Sequence, residues 1–304
     1  MELYQLRTFV KVADEGNLTR AAEKLFTSQP AISAQIRALE EELGVELFDR
    51  GPKGMTLTPQ GRQLYERAAE TLHAAETLKH QAQALQGEVM GEFRLGINSD
   101  YDFLRIGELH QNLRERHEGI ALRFVDSNSM AIQPDVRKQS LEGGFYFGAC
   151  TSADLKTWKL ADVPMAIVGP SAWQERIRRA KPEQLAALPW VHTSTDCPFY
   201  ILARQVFDNW GVEPKSVAYV DNEQGVRELI AAGAGMSLMR DGDAQAMERA
   251  GRATRCWYGP LSIELGFAVH RNRIAEPLVR AVTQQITALW KVSGAENESA
   301  ALSK

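Results

Sequence analysis

The sequence predicts a mixed fold: a small helix-rich head, one long helix, then a larger α/β part. Three observations predict it. Within residues 19–50, apolar residues recur at helical spacing in two short stretches split by a tight break. Residues 59–86 hold Leu64, Leu78 and Leu85 on a seven-residue repeat, with Pro only at the start. From residue 93 onward, short apolar runs alternate with amphipathic stretches, the pattern of strands in parallel sheets joined by helices.

Composition bounds the function. The chain has 304 residues, enough for two or three domains, and a net charge of −4. That charge argues against a general polyanion binder. Residues 1–58 carry seven Lys or Arg and nine Asp or Glu, so any nucleic-acid contact must rest on placement and not on bulk charge. Cys150, Cys197 and Cys256 are few, odd in number and far apart, which predicts neither a disulfide framework nor a zinc site. The start has no basic stretch followed by a long apolar run, and no apolar stretch approaches ~18 residues. The expectation is a cytoplasmic, nucleoid-associated protein without a membrane span.

In chain order, residues 3–15 make a first helix with Leu6, Phe9, Val10 and Ala13 on one stripe. A second follows over 20–25 with Thr19 as candidate N-cap. Phe26 and Thr27 form the break. Thr27 or Ser28 caps the third helix, and Pro30 sits in its first turn, where a missing N–H costs nothing. Ile32, Ile36, Leu39 and Leu43 face a core, and Gly44 ends the helix. The opposite face carries Ser28, Gln29, Ser33, Gln35 and Arg37, side chains able to read base edges and phosphates in a major groove. The acidic run Glu40-Glu41-Glu42 reads as a solvated face at the far end of the helix. Runs at 45–48 and 55–58 flank a Gly-Pro-Lys-Gly turn and predict a hairpin with Arg50 and Lys53 at its tip. Thr58 caps the long helix, whose Ala68, Ala75 and Ala82 alternate with Leu and suit pairing with a second copy of the chain.

The head resembles the winged helix-turn-helix of the LysR-type transcriptional regulators. The resemblance is carried by Phe9, Ala13, Gly16, Ala21-Ala22, Leu25, Ser28-Gln29-Pro30-Ala31-Ile32-Ser33, Gln35-Ile36, Leu39-Glu40, Leu43-Gly44, Leu47-Phe48, Arg50, Leu57-Thr58 and Gly61. Ala34 stands where the family usually has a basic residue. The resemblance implies a DNA-binding domain over 1–58, a dimerising linker helix over 59–87, and an effector-binding domain over 88–304 like the two-lobed type 2 periplasmic binding proteins. It implies that Gln29, Pro30 and Ser33 read bases, and that Thr19, Arg20, Ser28, Arg37, Arg50, Lys53 and Thr58 hold phosphates or the wing. It further implies a homodimer through the linker, a homotetramer, and contact with RNA polymerase in an activator.

Beyond a short hinge at 87–92, strands are predicted at 93–97, 120–125, 145–149, 163–168, 190–192, 217–220, 236–239 and 263–269. Helices fall at 103–116, 134–141, 182–187, 199–210, 223–232, 242–250 and 276–291. By the resemblance, lobe I is about 88–161 with 267–292 and lobe II about 162–266; 293–304 reads as a disordered tail.

Ligands of open α/β sheets sit beyond the C-terminal strand ends. That rule selects Ser99, Asp100 and Tyr101, then Ser127, Asn128 and Ser129, then Thr151. Further on it selects Thr193, Ser194, Thr195, Cys197, Phe199 and Asn222; Tyr146 joins the set. Each could equally be a helix cap. The family holds small effectors, often carboxylates, at equivalents of Ser99, the 127–129 loop and the 193–199 loop. Two departures, Phe145-Tyr146 after Gly144 and the acids Asp100 and Asp102, favour a larger, partly aromatic or cationic effector. Cys197 opens a helix, where a thiol is acidified, which keeps a redox-sensing regulator as the alternative.

Two other classes fit the sequence less well. The α/β part alone would allow a solute-binding protein, but the fused head argues against it. No nucleophile–base constellation, HExxH motif, paired Cys/His ligands or dinucleotide glycine pattern points to an enzyme, a cofactor or a metal.

Overall fold

The computed structural model describes residues 1–51, 54–84 and 89–292. The chain divides into two units, Met1–Val89 and Met90–Lys304. Lys53, Leu85, Gly87 and the predicted tail lie outside the described residues.

The first unit begins with α1 (Leu3–Glu15), α2 (Leu18–Lys24) and α3 (Gln29–Leu43). The hairpin β1 (Phe48–Gly51) and β2 (Gly54–Leu57) follows, then α4 (Pro59–Ala84). Phe9, Val12, Ile32, Ile36, Leu39 and Leu47 are among its fully buried residues, and Phe9 meets Phe48 edge-on at 5.5 Å. Each such side chain contributes roughly 1.5–3 kcal/mol of burial. The cap of α2 is not Thr19. Asn17 takes that role, its Oδ1 accepting the Thr19 and Arg20 N–H groups at 2.9 and 3.1 Å, so the helix starts two residues earlier than predicted. The first wing strand also starts later, at Phe48. The long helix is not free along its length: Leu64, Tyr65, Ala68 and Leu72 pack on the head core. Leu78, one turn and a half further, is 69% exposed.

The second unit is built from β3 (Gly91–Ile97), α5 (Ile106–Arg116), β4 (Ile120–Asp126), α6 (Ser129–Arg137) and β5 (Gly143–Phe147). A long strand, β6 (Leu155–Pro170), leads to α7 (Gln174–Ile177), α8 (Pro182–Ala186), β7 (Pro189–His192), α9 (Pro198–Trp210), β8 (Lys215–Tyr219) and α10 (Glu223–Ala231). Then come β9 (Ser237–Arg240), α11 (Asp241–Arg249), a second long strand β10 (Ala253–His270) and α12 (Pro277–Leu289). The order in the main sheet is β4-β3-β5-β10-β6-β9, with β7 and β8 forming a separate pair.

The expectation of parallel sheets is corrected. β3 pairs in parallel with β4 and β5, and β7 with β8, but β10 is antiparallel to both β5 and β6, and β6 to β9. Both long strands run through the two halves of the unit, so they exceed the short runs predicted inside them. Their register shifts between Leu265 and Gly266, and again between Cys256 and Leu261. Such bulges bend a paired ribbon.

The helix predicted at 134–141 is also corrected. α6 starts at Ser129 because Asn128 Oδ1 accepts the Met130 and Ala131 N–H groups at 3.1 and 2.9 Å; Pro134 lies inside the helix. Ile132 of α6 sits against Gly96 and Gly144. A Cβ on Gly144 would lie 2.7 Å from Ile132 Cγ2, so only glycine lets this helix approach the sheet.

One buried charge is tied into this half. Glu142 is 2% exposed and accepts from the Arg94 backbone N at 2.6 Å, Arg94 Nη2 at 2.7 Å and Arg273 Nη1 at 3.4 Å. Burial alone would raise its pKa; the Arg94 bonds and charge, with Arg273, prevail and hold it below the usual carboxylate value. A lowered carboxyl pKa stabilises the fold above the unfolded value of 4.5, and that stabilisation is lost as pH falls through the folded value. Glu142→Gln is therefore expected to cost roughly 3 kcal/mol near neutral pH. Its thermal melts should then fall less steeply than wild type between about pH 5 and 3.

Candidate functional site

The head presents α3 through its exposed N-terminal turn. Ser28 caps it, its Oγ accepting the Ala31 N–H at 3.4 Å. Thr19, Arg20, Ser28, Gln29, Pro30 and Arg37 are exposed, and Ser33 is half-buried. Two of the predicted polar contacts are already committed within the chain. Arg20 Nη2 donates to the Glu15 carbonyl at 2.8 Å. Gln35 faces inward and accepts from the Thr8 hydroxyl at 2.5 Å. Thr58, named as a residue that holds phosphates or the wing, is 6% exposed, donates to the Glu46 carbonyl at 2.7 Å, and accepts the Gly61 N–H at 2.9 Å. It holds the wing to α4.

Glu40 is corrected. Its Oε1 accepts the Leu47 and Phe48 N–H groups at 2.9 and 3.4 Å, so this acid fastens the end of α3 to the start of the wing. Arg50 lies in β1 opposite Met55. Phe26, in the break between α2 and α3, is 98% exposed and holds a left-handed φ of 51°.

In the second unit, a cavity of about 290 Å³ opens beyond the strand ends. One wall comes from Ser99 and Asp100 after β3, and from Ser127, Asn128 and Ser129 after β4. The facing wall comes from Thr193, Ser194, Cys197 and Phe199 before and within α9, and from Asn222 at the cap of α10. Several of these polar groups have a structural task too. Asn222 Oδ1 accepts the Gly225 N–H at 2.7 Å, and Ser129 Oγ accepts the Phe147 N–H at 3.1 Å. Cys197 is half-buried at the N-cap of α9; neither other cysteine lines the cavity.

Four predicted effector contacts lie elsewhere. Tyr146 is 1% exposed, fills the space left by Gly266, and is pushed up to about 12 chiefly by burial. Tyr101 is exposed and donates to Asp126 at 2.9 Å without lining the cavity. Thr151 borders a separate open hollow with Gln133 and Gln205. Thr195 is exposed and outside the lining. The alternation of a strand cannot show which way a loop side chain turns, and these are loop residues or, for Tyr146, the wrong face of β5.

The structure adds a feature that the strand-end rule does not reach. Arg240, 3% exposed at the end of β9, pairs through Nη2 with Asp100, with Glu223 at 2.9 Å and with Asp243 at 2.7 Å. Its guanidinium stands 4.1 Å over the Phe103 ring. Arg227 reaches Asp100 at 3.2 Å, and the Ser99 hydroxyl donates to Glu223 at 3.0 Å. Ser99, Asp100 and Phe103 follow β3; Glu223, Arg227, Arg240 and Asp243 belong to α10, β9 and α11. The cluster thus ties the two halves together at the cavity edge. The three carboxylates lie close enough to hold a metal ion, but the Arg240 guanidinium already stands among them.

Burial, opposed by Arg240 and aided by the Asp100 and Asp243 charges, pushes Glu223 above its usual value. For Asp100, burial is outweighed by the hydrogen bonds and charges of Arg227 and Arg240, which hold it low. Removing Arg240 leaves Glu223 buried without its main counter-charge, so Arg240→Met is expected to cost about 3–5 kcal/mol near neutral pH. A raised carboxyl pKa favours the fold at low pH and loses that advantage as pH rises through it. The deficit in Tm should therefore shrink on acidification and in the double variant with Glu223→Gln; equal deficits throughout would contradict this account.

Residues 3–62 match the family described as bacterial regulatory helix-turn-helix protein, lysR family, and residues 86–291 match the LysR substrate binding domain. The HTH-type transcriptional regulator CysL of Bacillus subtilis (strain 168) is 28% identical over 237 residues, covering 77% of this chain and 79% of that protein. The HTH-type transcriptional regulator ClcR of Pseudomonas putida is 29% identical over 254 residues, covering 79% and 82%. Full-length CbnR in complex with its target DNA superposes with a TM-score of 0.70 at 20% identity, over 95% of this chain and 99% of that one. ArgP from Mycobacterium tuberculosis gives 0.70 at 19% identity, over 95% and 97%. Both matches fall on the two units described above and in the same order, and the chain belongs to the LysR family of DNA-binding transcriptional regulators with an effector-binding domain.

Proposed function

We propose that this regulator answers to a small molecule bound in the cavity beside Arg240, and that lobe spacing carries the response to its DNA-reading heads. The observation that carries the reading is the position of that cavity. Its two walls come from different halves of the domain, and the same segments meet in the Asp100–Arg240–Glu223 cluster. A ligand that contacts both walls has a different affinity for each lobe spacing, the condition for shifting a conformational equilibrium.

On the DNA side, Gln29, Pro30 and Ser33 are the base-reading candidates, while Thr19, Arg20, Ser28, Arg37, Arg50 and Lys53 serve phosphates or the wing. The exposed Leu78 on α4 supports pairing of two linker helices, and the family resemblance extends this to a homotetramer. An activator of this kind would also meet RNA polymerase. CbnR, which shares the fold, has been crystallised with its target DNA.

The test is a mobility-shift titration on the DNA upstream of the regulator's own gene, with random DNA as competitor. Gln29→Ala is expected to weaken the specific complex about tenfold or more and to leave random-DNA binding nearly unchanged. Lys53→Ala is expected to weaken both alike and to lower the salt slope by about one. Equal losses for both variants on both DNAs would overturn this division of roles.

A further inference from the structure

The cavity lining is unbalanced in charge. Asp100, Asp126, Asp196, Asp221 and Glu223 supply carboxylates to it, and no Lys or Arg does. Arg227 and Arg240 stand behind Asp100 and Glu223, but Asp243 shares both guanidiniums. Asp126 accepts the neutral Tyr101 hydroxyl. Among the described residues, Asp196 and Asp221 have neither an ion pair nor a hydrogen-bond partner, and both are exposed toward the cavity mouth. Low-dielectric walls carrying charge of one sign concentrate the opposite ion and repel the like one.

A second observation is independent of net charge. Thr193 is 8% exposed and lines the cavity, and its Oγ1 has no hydrogen-bond partner. Asn98 donates through Nδ2 to Ser129 Oγ, which leaves its acceptor Oδ1 buried and unpartnered in the same lining. Buried polar atoms are normally satisfied, so these two mark places for a ligand's donors. Helix N-termini would favour an anion. Here Asn128 already takes two N–H groups of the first turn of α6 and Asn222 one of α10, and α9 starts with Pro198, which has no N–H to give, so fewer donors are left for an anion. Phe147 and Phe199, with ring centres 4.9 Å apart, add an apolar surface.

We infer that the effector carries a cationic nitrogen, a protonated amine or guanidinium on a small apolar body. The inference rests on the reading that this cavity is the effector site. The nitrogen donates to the carboxylates and to Thr193 and Asn98, and the carbon skeleton lies against Phe147 and Phe199.

The experiment is calorimetric titration of the full-length protein with cadaverine, agmatine and phenethylamine, against adipate and benzoate, at about 0.15 M salt. At least one amine is expected to bind with one site per chain, and neither carboxylate. Asp196→Asn and Asp221→Asn remove exposed, unpaired charges and leave the fold intact; each should weaken amine binding about tenfold. Thr193→Val should weaken it as well, and Ser127→Trp, which fills the cavity, should abolish it. Carboxylate binding that Ser127→Trp abolishes, with no amine binding, overturns the cationic assignment and keeps the cavity as the effector site. Amine binding indifferent to Ser127→Trp overturns the cavity reading itself. Absence of binding by all three amines overturns the cationic assignment.

Discussion

The pairing of β6 with β10 is the constraint on which the effector domain depends. From Leu155 opposite His270 to Pro170 opposite Ala253, one antiparallel ribbon serves both halves. β5 adds to one part of it, β9 to another, and each half builds its own core around its own share. The halves are therefore joined by two strands, and those strands are irregular where they pass between them. The shift between Leu265 and Gly266 falls where the ribbon passes from one half to the other and permits bending there, while the shift between Cys256 and Leu261 lies within the half that carries β9. The Arg240 cluster closes the remaining side with charge instead of backbone.

The head is organised differently. Its core is apolar and small, and polar side chains do the joining. Asn17 starts α2, Ser28 starts α3, Glu40 fastens α3 to the wing, and Thr58 fastens the wing to α4. In a unit this short, buried area alone gives little margin, so each satisfied backbone group at a helix end counts. Two residues that read as solvent-facing or DNA-facing, Glu40 and Thr58, have this internal task. Among the described residues, the exposed polar side chains of Ser28 and Gln29 gather at the first turn of α3.

Much of this was legible in the chain, and the failures have identifiable causes. The helices of the head follow from Phe9, Ile32, Ile36 and Leu39 because a 3.6-residue period survives in a small core. Pro134 reads as a first-turn proline and so places the start of α6 too late, whereas the Asn128 cap starts the helix at Ser129. The full lengths of β6 and β10 do not show in the sequence pattern because Lys156, Lys159 and Asp162 interrupt its apolar run, where a strand passing between the halves needs no buried face. At the cavity, the strand-end rule selects Ser99, Ser127, Thr193 and Asn222, since topology alone puts those loops there. It could not select Arg240. That residue is 140 positions from Asp100, and nothing local in either segment announces the other. In the sequence Arg240 falls in the gap between the strand expected at 236–239 and the helix expected at 242–250.

The Arg240 cluster sets one further limit. On the proposed reading it sits where the lobes would part or rotate, with Arg240 3% exposed at its centre, so a response would have to disturb a contact that also holds the two halves together. Sequence changes that tightened this contact would make a sturdier protein and a deafer one. Marginal stability is therefore expected to persist here through selection on signalling, while the cores on either side remain free to become more robust.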